Sequence, residues 1–323
     1  MRAERLSPGT CTWCLIGAII LVTLVWMRVA GLNFAWDSAA LTVGACAGLA
    51  VLAAFYRTWR PEPRIADTLT ALAQVIAFGA CAAPLSYAVA ATGGALWDST
   101  FYGWDQALGL DWRTYLGWVD AHPKLGFAMT LAYRSLMAQM MLVVILLGFV
   151  GRLAVLRQFV LAFCLSGTVT ILISGLTPAM ANFVYLHLKP EDFSHLQPAA
   201  AYAHVAHLAG LRDGSFHTIS LDTLEGIITF PSFHATLGAL FLWAFWSLRW
   251  ARLPALVLNG LLVASTPIDG GHYFVDVIAG LAIAVVAILA ARWFARGPVT
   301  APLQDVPSSV PAAEVGNARL FAQ

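Results

Sequence analysis

The hydrophobic positions along the chain form long apolar runs that are separated by short polar stretches. A helix that crosses the hydrocarbon core of a bilayer needs about 20 predominantly apolar residues. The runs that approach or exceed this length predict eight membrane-spanning helices: Trp13–Val29, Ser38–Tyr56, Ala66–Thr92, Leu125–Val150, Phe159–Met180, Phe230–Leu248, Leu253–Thr266 and Phe274–Trp293. We therefore predict an all-α integral membrane protein with about eight transmembrane helices.

The composition supports this class and argues against others. Of the 323 residues, 60% are hydrophobic and 11% are charged, whereas about a quarter of an average soluble protein is charged. The formal net charge is +1, and no basic run suggests a surface for a phosphate backbone, so we expect no nucleic-acid partner. The five cysteines lie in or beside apolar runs and are predicted to be small core residues.

The placement of cationic residues predicts the orientation in the cell membrane. Cytoplasmic loops carry an excess of lysine and arginine. With the N-terminus inside, eleven cations fall on the cytoplasmic side: Arg2, Arg5, Arg57, Arg60, Arg64, Arg152, Arg157, Arg249, Arg252, Arg292 and Arg296. Five fall on the opposite side: Arg28, Arg113, Lys124, Lys189 and Arg212. Both termini are therefore predicted to be cytoplasmic.

The runs and the loops divide the chain into three parts. Residues 1–64 are predicted to form an N-terminal transmembrane hairpin, and residues 65–296 a helical core. Two long extracytoplasmic segments, 93–124 and 181–229, interrupt that core. The tail 297–323 is rich in Pro, Ala, Val and Ser, lacks helical periodicity and is predicted to be a disordered cytoplasmic segment.

The first extracytoplasmic segment alternates tryptophans with aspartates. Because tryptophan prefers the headgroup level of a membrane, we interpret it as an amphipathic element in the interface, an aromatic belt without chemistry. The second segment contains His204 and His207, three positions apart, which would share a helix face. No carboxylate or cysteine completes a metal-ligand set, so we interpret them as polar residues of a lid helix over 197–211 and predict neither metal nor cofactor.

Candidate chemistry begins in the stretch FPSFHATLGAL. Pro231 suits the first turn of a helix, and Ser232 is a natural N-terminal cap. The amides of that turn would form an anion pocket, and His234 lies inside it. By the arginine placement, this helix begins at the extracytoplasmic surface.

A second histidine lies in GGHYFVDVIAG, which ends at Gly280. His272 and Asp276 are four positions apart and therefore share a helix face, so the carboxylate can hold one imidazole nitrogen. The other nitrogen is left as a nucleophile or base. The chain crosses the membrane once inward and once back between the two histidines, which brings both to the same face.

FPSFHA and GGHYFVDVIAG resemble the second and third motifs of the type-2 phosphatidate phosphatase superfamily, which includes vanadium haloperoxidases. The HYxxD form looks most like its inositolphosphorylceramide-synthase branch. The resemblance covers Ala66 to Trp293 and implies a six-helix core with two extra N-terminal helices. It also implies an enzyme without metal: a lipid phosphotransferase, for example of a phosphoinositol headgroup, or alternatively a lipid-phosphate phosphatase.

The resemblance further implies catalytic roles. His272 would attack phosphorus, Asp276 would orient it, and His234 would protonate the leaving oxygen, while Ser232 would bind phosphoryl oxygens. The superfamily's first motif is missing here, and Thr266 stands where the third motif has an arginine. We expect Arg212 and Arg134 to supply the missing positive charge.

Two other functions stay open from the residues alone. A transporter would use the intramembrane polar groups as a pathway, but no repeated half is visible, and the histidines cluster at one end. A haem protein would use paired histidines as axial ligands, which leaves Pro231, Ser232 and Asp276 without a role.

Overall fold

A computed structural model describes residues 7–296 of the chain. The predicted tail 297–323, as well as Arg2 and Arg5, lies outside the described residues. The helices are α1 (Pro8–Val29), α2 (Ala40–Thr58), α3 (Pro63–Ala90), α4 (Asp98–Ala107), α5 (Trp112–Asp120), α6 (Pro123–Arg134), α7 (Leu136–Phe149), α8 (Leu153–Leu176), α9 (Asn182–Tyr185), α10 (Val205–Asp213), α11 (Phe233–Phe245), α12 (Arg252–Asp269) and α13 (Phe274–Ala295). Single 3₁₀ turns span Trp36–Ala39, Pro190–Asp192 and Arg249–Ala251.

The described chain is a mostly helical membrane protein. Six of its helical segments are long and apolar enough to cross a bilayer: α1, α2 with its preceding turn, α3, α8, α12 with its preceding turn, and α13. A seventh span results if α6 and α7 are counted together. The eighth predicted run corresponds to α11, which has 13 residues and is therefore about 20 Å long. A count of eight spans stays a prediction.

The predicted span Leu125–Val150 is broken into α6 and α7, which meet at an angle of 53°. The break falls at Ser135, whose hydroxyl donates to the carbonyl of Ala132 at 2.6 Å. Hydroxyls that bond back to the preceding turn are a known cause of helix bending. The bend leaves Tyr133 and Arg134 at the end of α6, next to the break.

The core forms where α3, α7, α8, α11 and α13 pack together. Its buried side chains are almost all aliphatic or phenylalanine, for example Phe78, Phe159 and Phe241. Both α1 and α2 pack against α3. The outward faces of α2 and α13 expose large apolar side chains such as Leu41 and Val286, as a lipid-facing surface requires.

One end of the bundle gathers the non-spanning segments. Two short parallel strands, β1 (Asn33–Phe34) and β2 (Thr218–Ile219), join the loop after α1 to the segment before α11. The segment that contains α4 and α5 contacts the same end, since Trp97 N donates to Pro178 O. Residues 31–38, 93–124 and 181–229 therefore cover the end of the bundle at which α11 and α13 begin.

Candidate active site

The helix α11 begins at a serine cap. Ser232 Oγ accepts a hydrogen bond from Ala235 N at 3.3 Å, and the residue is fully buried. Its own N–H donates to the carbonyl of Asp276 in α13 at 3.0 Å. The cap thus satisfies one of the orphan amides of α11 and ties that helix to its neighbour.

The N-cap of α11 and the second turn of α13 approach backbone to backbone at Gly280. A Cβ at this position would lie 2.2 Å from the carbonyl oxygen of Ser232. Thr236 Oγ1 lies 2.9 Å from Gly280 O and 3.0 Å from Ser232 O, so one hydroxyl bridges both helices. Because Gly280 has no side chain, the two helix starts can approach this closely.

His272 lies in the turn before α13 and is 4% exposed. Its Nδ1 is 2.7 Å from the carbonyl oxygen of Thr229 and 3.2 Å from Oδ2 of Asp276. A carbonyl oxygen can only accept a hydrogen bond, so Nδ1 carries the proton. The neutral ring therefore keeps a free lone pair on Nε2.

Asp276 is fully buried in the first turn of α13. Besides facing His272, its Oδ2 accepts the N–H of Tyr273 at 2.9 Å, and the same carboxylate closes a capping box with that residue. Its Oδ1 has no hydrogen-bond partner within the described residues. One carboxylate oxygen, Oδ2, thus faces both the backbone amide of Tyr273 and the imidazole of His272.

His234 lies on the first turn of α11, half-buried, and close enough to His272 for the two rings to interact electrostatically. The ring of Tyr133 stacks on it at a centroid distance of 4.1 Å and an interplanar angle of 8°. One imidazole from α11 and one from the turn before α13 thus lie near each other at one end of the bundle, and each has a defined neighbour. This arrangement can supply a nucleophile and a proton donor to one bound group.

Two buried aspartates of α4 hold the start of α13, and the sequence interpretation of this segment as a belt without chemistry missed them. Asp105 accepts the N–H groups of Phe274 and Val275 at 2.8 and 2.9 Å. Asp98 accepts the hydroxyl of Tyr273 at 2.8 Å as well as backbone amides at Met180 and Ala181. A carboxylate at a helix N-terminus is favoured by the helix dipole. The aspartates are seven positions apart, two helical turns, which is the signal that could have revealed them.

A family model described as the PAP2 superfamily matches residues 99–290. The chain belongs to the PAP2 superfamily. The match contains both histidines, Asp276 and the buried Asp105. No curated protein and no solved structure matches the chain. Members of the PAP2 superfamily are phosphatases and phosphotransferases, which indicates that this membrane protein is an enzyme of that type.

The two arginines expected to replace the missing PAP2 cations lie apart from each other. Arg212 Nη2 donates to Gly94 O at 2.7 Å, whereas its Nη1 is buried without a partner among residues 7–296. Arg134 is exposed at the end of α6, and its charge acts on Asp269. Within the described chain, neither guanidinium forms a hydrogen bond or an ion pair with His234 or His272.

His204 and His207 of the second segment contact different partners instead of facing a common one. His204 precedes α10, and its Nε2 lies 3.0 Å from Met180 O. Burial lowers the pKa of His204 below its usual value, and its ring is close enough to His272 to interact with it electrostatically. His207 Nδ1 is 2.7 Å from the hydroxyl of Tyr87. In the described part of the chain, no group of three or more His, Cys, Asp or Glu is arranged to hold a metal.

The predicted lid is fastened next to the candidate nucleophile by Asp269, which sequence reasoning also missed. Oδ1 of this buried aspartate accepts the N–H of Ala199 at 3.1 Å and the hydroxyl of Thr130 at 2.9 Å. Its carbonyl accepts the N–H of Ala200 at 2.8 Å. Since Asp269 precedes His272 by three residues, the lid segment and the site are joined at one point.

The glycine contact gives a direct prediction. We expect Gly280→Ala to force α11 and α13 apart, because the obstacle is a backbone carbonyl that cannot rotate away. Overpacking of this kind costs about 1–3 kcal/mol of stability. Activity should fall at least about tenfold, since the histidines would separate. Turnover and the midpoint of thermal unfolding in detergent measure both effects.

Gly260→Ala in α12 is the matched control, because a Cβ there would meet no atom within 4 Å. It should leave both quantities unchanged. Equal behaviour of the two variants would contradict the close approach at Gly280.

Proposed function

We propose that this protein is a membrane-embedded phosphotransferase or phosphatase that acts on a lipid-linked phosphate or phosphodiester through a phosphohistidine intermediate. The observation that carries the proposal is the state of the His272 ring. Two acceptors hold its Nδ1, so its Nε2 lone pair is free to attack. The neighbouring His234 and the PAP2-superfamily membership support the same reaction class.

The reaction would proceed in two displacements. First, Nε2 of His272 forms a bond to phosphorus while the bond from phosphorus to the leaving oxygen breaks. That oxygen keeps the bonding electron pair and takes a proton from protonated His234. In the second displacement, His234 removes a proton from the acceptor hydroxyl, whose oxygen bonds to phosphorus. The electron pair of the nitrogen–phosphorus bond then returns to Nε2.

The remaining proposed roles concern charge. His272 becomes cationic when Nε2 bonds to phosphorus, and Asp276 would stabilise that cation while it orients the ring. The first-turn amides of α11, which follow the Ser232 cap, would face the phosphoryl oxygens. Arg212 would offer its unpaired Nη1 to a phosphate or headgroup that enters beside α10. Arg134, exposed at the end of α6, is the second cation proposed for this role.

Hydrolysis and transfer differ in whether water or an alcohol reaches the intermediate. The attachment of the lid at Asp269 favours transfer, because a segment fastened beside His272 restricts the entry of bulk water. The inositolphosphorylceramide-synthase-like motifs favour a polyol acceptor, so transfer of a phosphoinositol-type headgroup is our specific proposal. Simple lipid-phosphate hydrolysis is the alternative within the same chemistry.

A substrate panel tests the function. We expect the purified protein to convert labelled lipid phosphates or phosphodiesters, presented with and without inositol or other alcohols. A new labelled lipid indicates transfer, and released phosphate indicates hydrolysis. Vanadate should inhibit, because its five-coordinate adduct resembles the transferring phosphoryl group. Turnover should be abolished in both His272→Ala and His272→Gln, since neither side chain can form the covalent bond.

His217→Ala is the matched control, because this histidine is exposed, directly precedes β2 and, within the described chain, forms no hydrogen bond with either ring. It should retain normal turnover. Near-normal activity in His272→Gln would overturn the nucleophile assignment.

We also propose that the site faces the extracytoplasmic side, so that the substrate is a lipid displayed in the outer leaflet. The arginine distribution supports this orientation. In a cysteine-free background, Ser215→Cys should react with a membrane-impermeant maleimide in intact cells, whereas Arg60→Cys should react only after lysis. Both positions are exposed. The reverse pattern would place the chemistry in the cytoplasm.

A further inference from the structure

Tyr133 is a buried phenol whose hydroxyl has no well-formed hydrogen bond in the described chain. The residue is 6% exposed, and its one polar contact is with His234 Nδ1 at 3.5 Å. The two rings are nearly parallel, so the lone pair or hydrogen of Nδ1, which lies in the imidazole plane, does not point at the hydroxyl. The distance of 3.5 Å reflects the stacking of the two rings. It is too long for a typical O–H hydrogen bond, which measures about 2.7–2.8 Å.

A buried tyrosine hydroxyl normally has a partner, because burying an unpaired polar group is costly. The location of this hydroxyl indicates what the partner could be. A Cβ placed on Gly270 would lie 3.0 Å from Tyr133 Oη and 2.7 Å from Cδ2 of His272. Cδ2 is bonded to Nε2, the nitrogen with the free lone pair. Tyr133 Oη and His272 Cδ2 therefore border the same small space at Gly270, so the phenol hydroxyl lies near the part of the His272 ring that carries Nε2.

A phosphoryl group usually requires nearby positive charge, yet among residues 7–296 no lysine or arginine forms a hydrogen bond with either histidine. Thr266, in place of the third-motif arginine, donates its hydroxyl to Val263 O at 2.8 Å and is fully buried. Arg134 is exposed, and Arg212 binds Gly94. Neutral donors close to the two histidines are therefore needed to stabilise phosphoryl oxygens. The ring of Tyr133 stacks on His234, and its hydroxyl lies near His272.

We propose that Tyr133 is a catalytic residue whose hydroxyl donates a hydrogen bond to a nonbridging phosphoryl oxygen during transfer to and from His272. The inference rests on the proposed function. The phenol keeps its proton throughout, since a tyrosine hydroxyl is neutral at physiological pH. It would stabilise the charge that develops on the phosphoryl oxygens, as preorganised donors do in other transfer reactions. Stacking on His234 fixes the ring, so that the donor is already in place.

Tyr133→Phe separates this role from simple positioning of His234, because phenylalanine retains the stacked ring and loses only the hydroxyl. Removal of one such donor typically lowers turnover about 10²–10³-fold. We expect a loss of at least about tenfold in kcat, together with weaker inhibition by vanadate. Tyr115→Phe is the control: its hydroxyl donates to Ala264 O at 2.7 Å, and its removal should change neither quantity.

A second measurement uses a substrate with sulfur in place of a nonbridging phosphoryl oxygen. A simple loss of protein stability would not produce the result that we expect from it. Sulfur accepts hydrogen bonds poorly, so replacing a nonbridging oxygen by sulfur should slow the wild-type protein. The same replacement should slow Tyr133→Phe much less, since the donor is already absent. An equal effect of sulfur in both proteins, or normal turnover in Tyr133→Phe, would overturn the proposal.

The outcomes distinguish this inference from the proposed function. If the wild type turns over phosphoesters, His272→Gln is inactive and Tyr133→Phe is normal, only the role of Tyr133 is wrong. If His272→Gln is active, or if the wild type neither turns over phosphoesters nor binds vanadate, the phosphohistidine proposal fails and takes the role of Tyr133 with it.

Discussion

The close approach of α11 and α13 at Gly280 is the constraint on which the site depends. Each helix carries one of the two histidines at or just before its first turn, so their relative position is set by how near the helix starts can come. A backbone contact with Ser232 and a shared hydroxyl from Thr236 fix that distance. Any side chain at Gly280 would push the starts of the two helices, and with them the two histidines, apart.

The segment outside the membrane span completes this arrangement. Asp105 and Asp98 on α4 bind the amides and the tyrosine hydroxyl at the start of α13, so a helix that was expected to lie in the interface fixes the turn that contains His272. Hydrogen bonds to charged groups typically contribute about 1.5–3 kcal/mol each. The segment predicted to be a lid is bonded to Asp269, three residues before His272. Contacts from the helical bundle and from the covering segments thus fix the candidate site together.

The sequence was informative wherever local spacing decides the geometry. The apolar runs predicted the spanning helices, and the four-residue spacing of His272 and Asp276 predicted that the two side chains could meet, which they do at 3.2 Å. Long-range contacts were less accessible. The position of Tyr133 depends on a bend at Ser135 and on packing between distant helices. Neither can be predicted from the periodicity of a continuous apolar run. The seven-residue spacing of Asp98 and Asp105 was a usable signal, but the surrounding tryptophans led us to interpret the segment as an aromatic belt. Arg134, which the sequence suggested as a buried cation, is exposed, whereas its neighbour Tyr133 is buried.

The central claim is that Nε2 of His272 forms a covalent bond to phosphorus, and it can be tested by trapping the intermediate. The purified protein would be mixed with a ³²P-labelled lipid phosphate and quenched in alkali within its first turnover, since phosphohistidine is stable to base and labile to acid. Peptide mass spectrometry would then locate the label. We expect one phosphate on His272 in the wild type and no labelled peptide in His272→Gln. Label on a different residue, or full turnover without a labelled peptide, would contradict it.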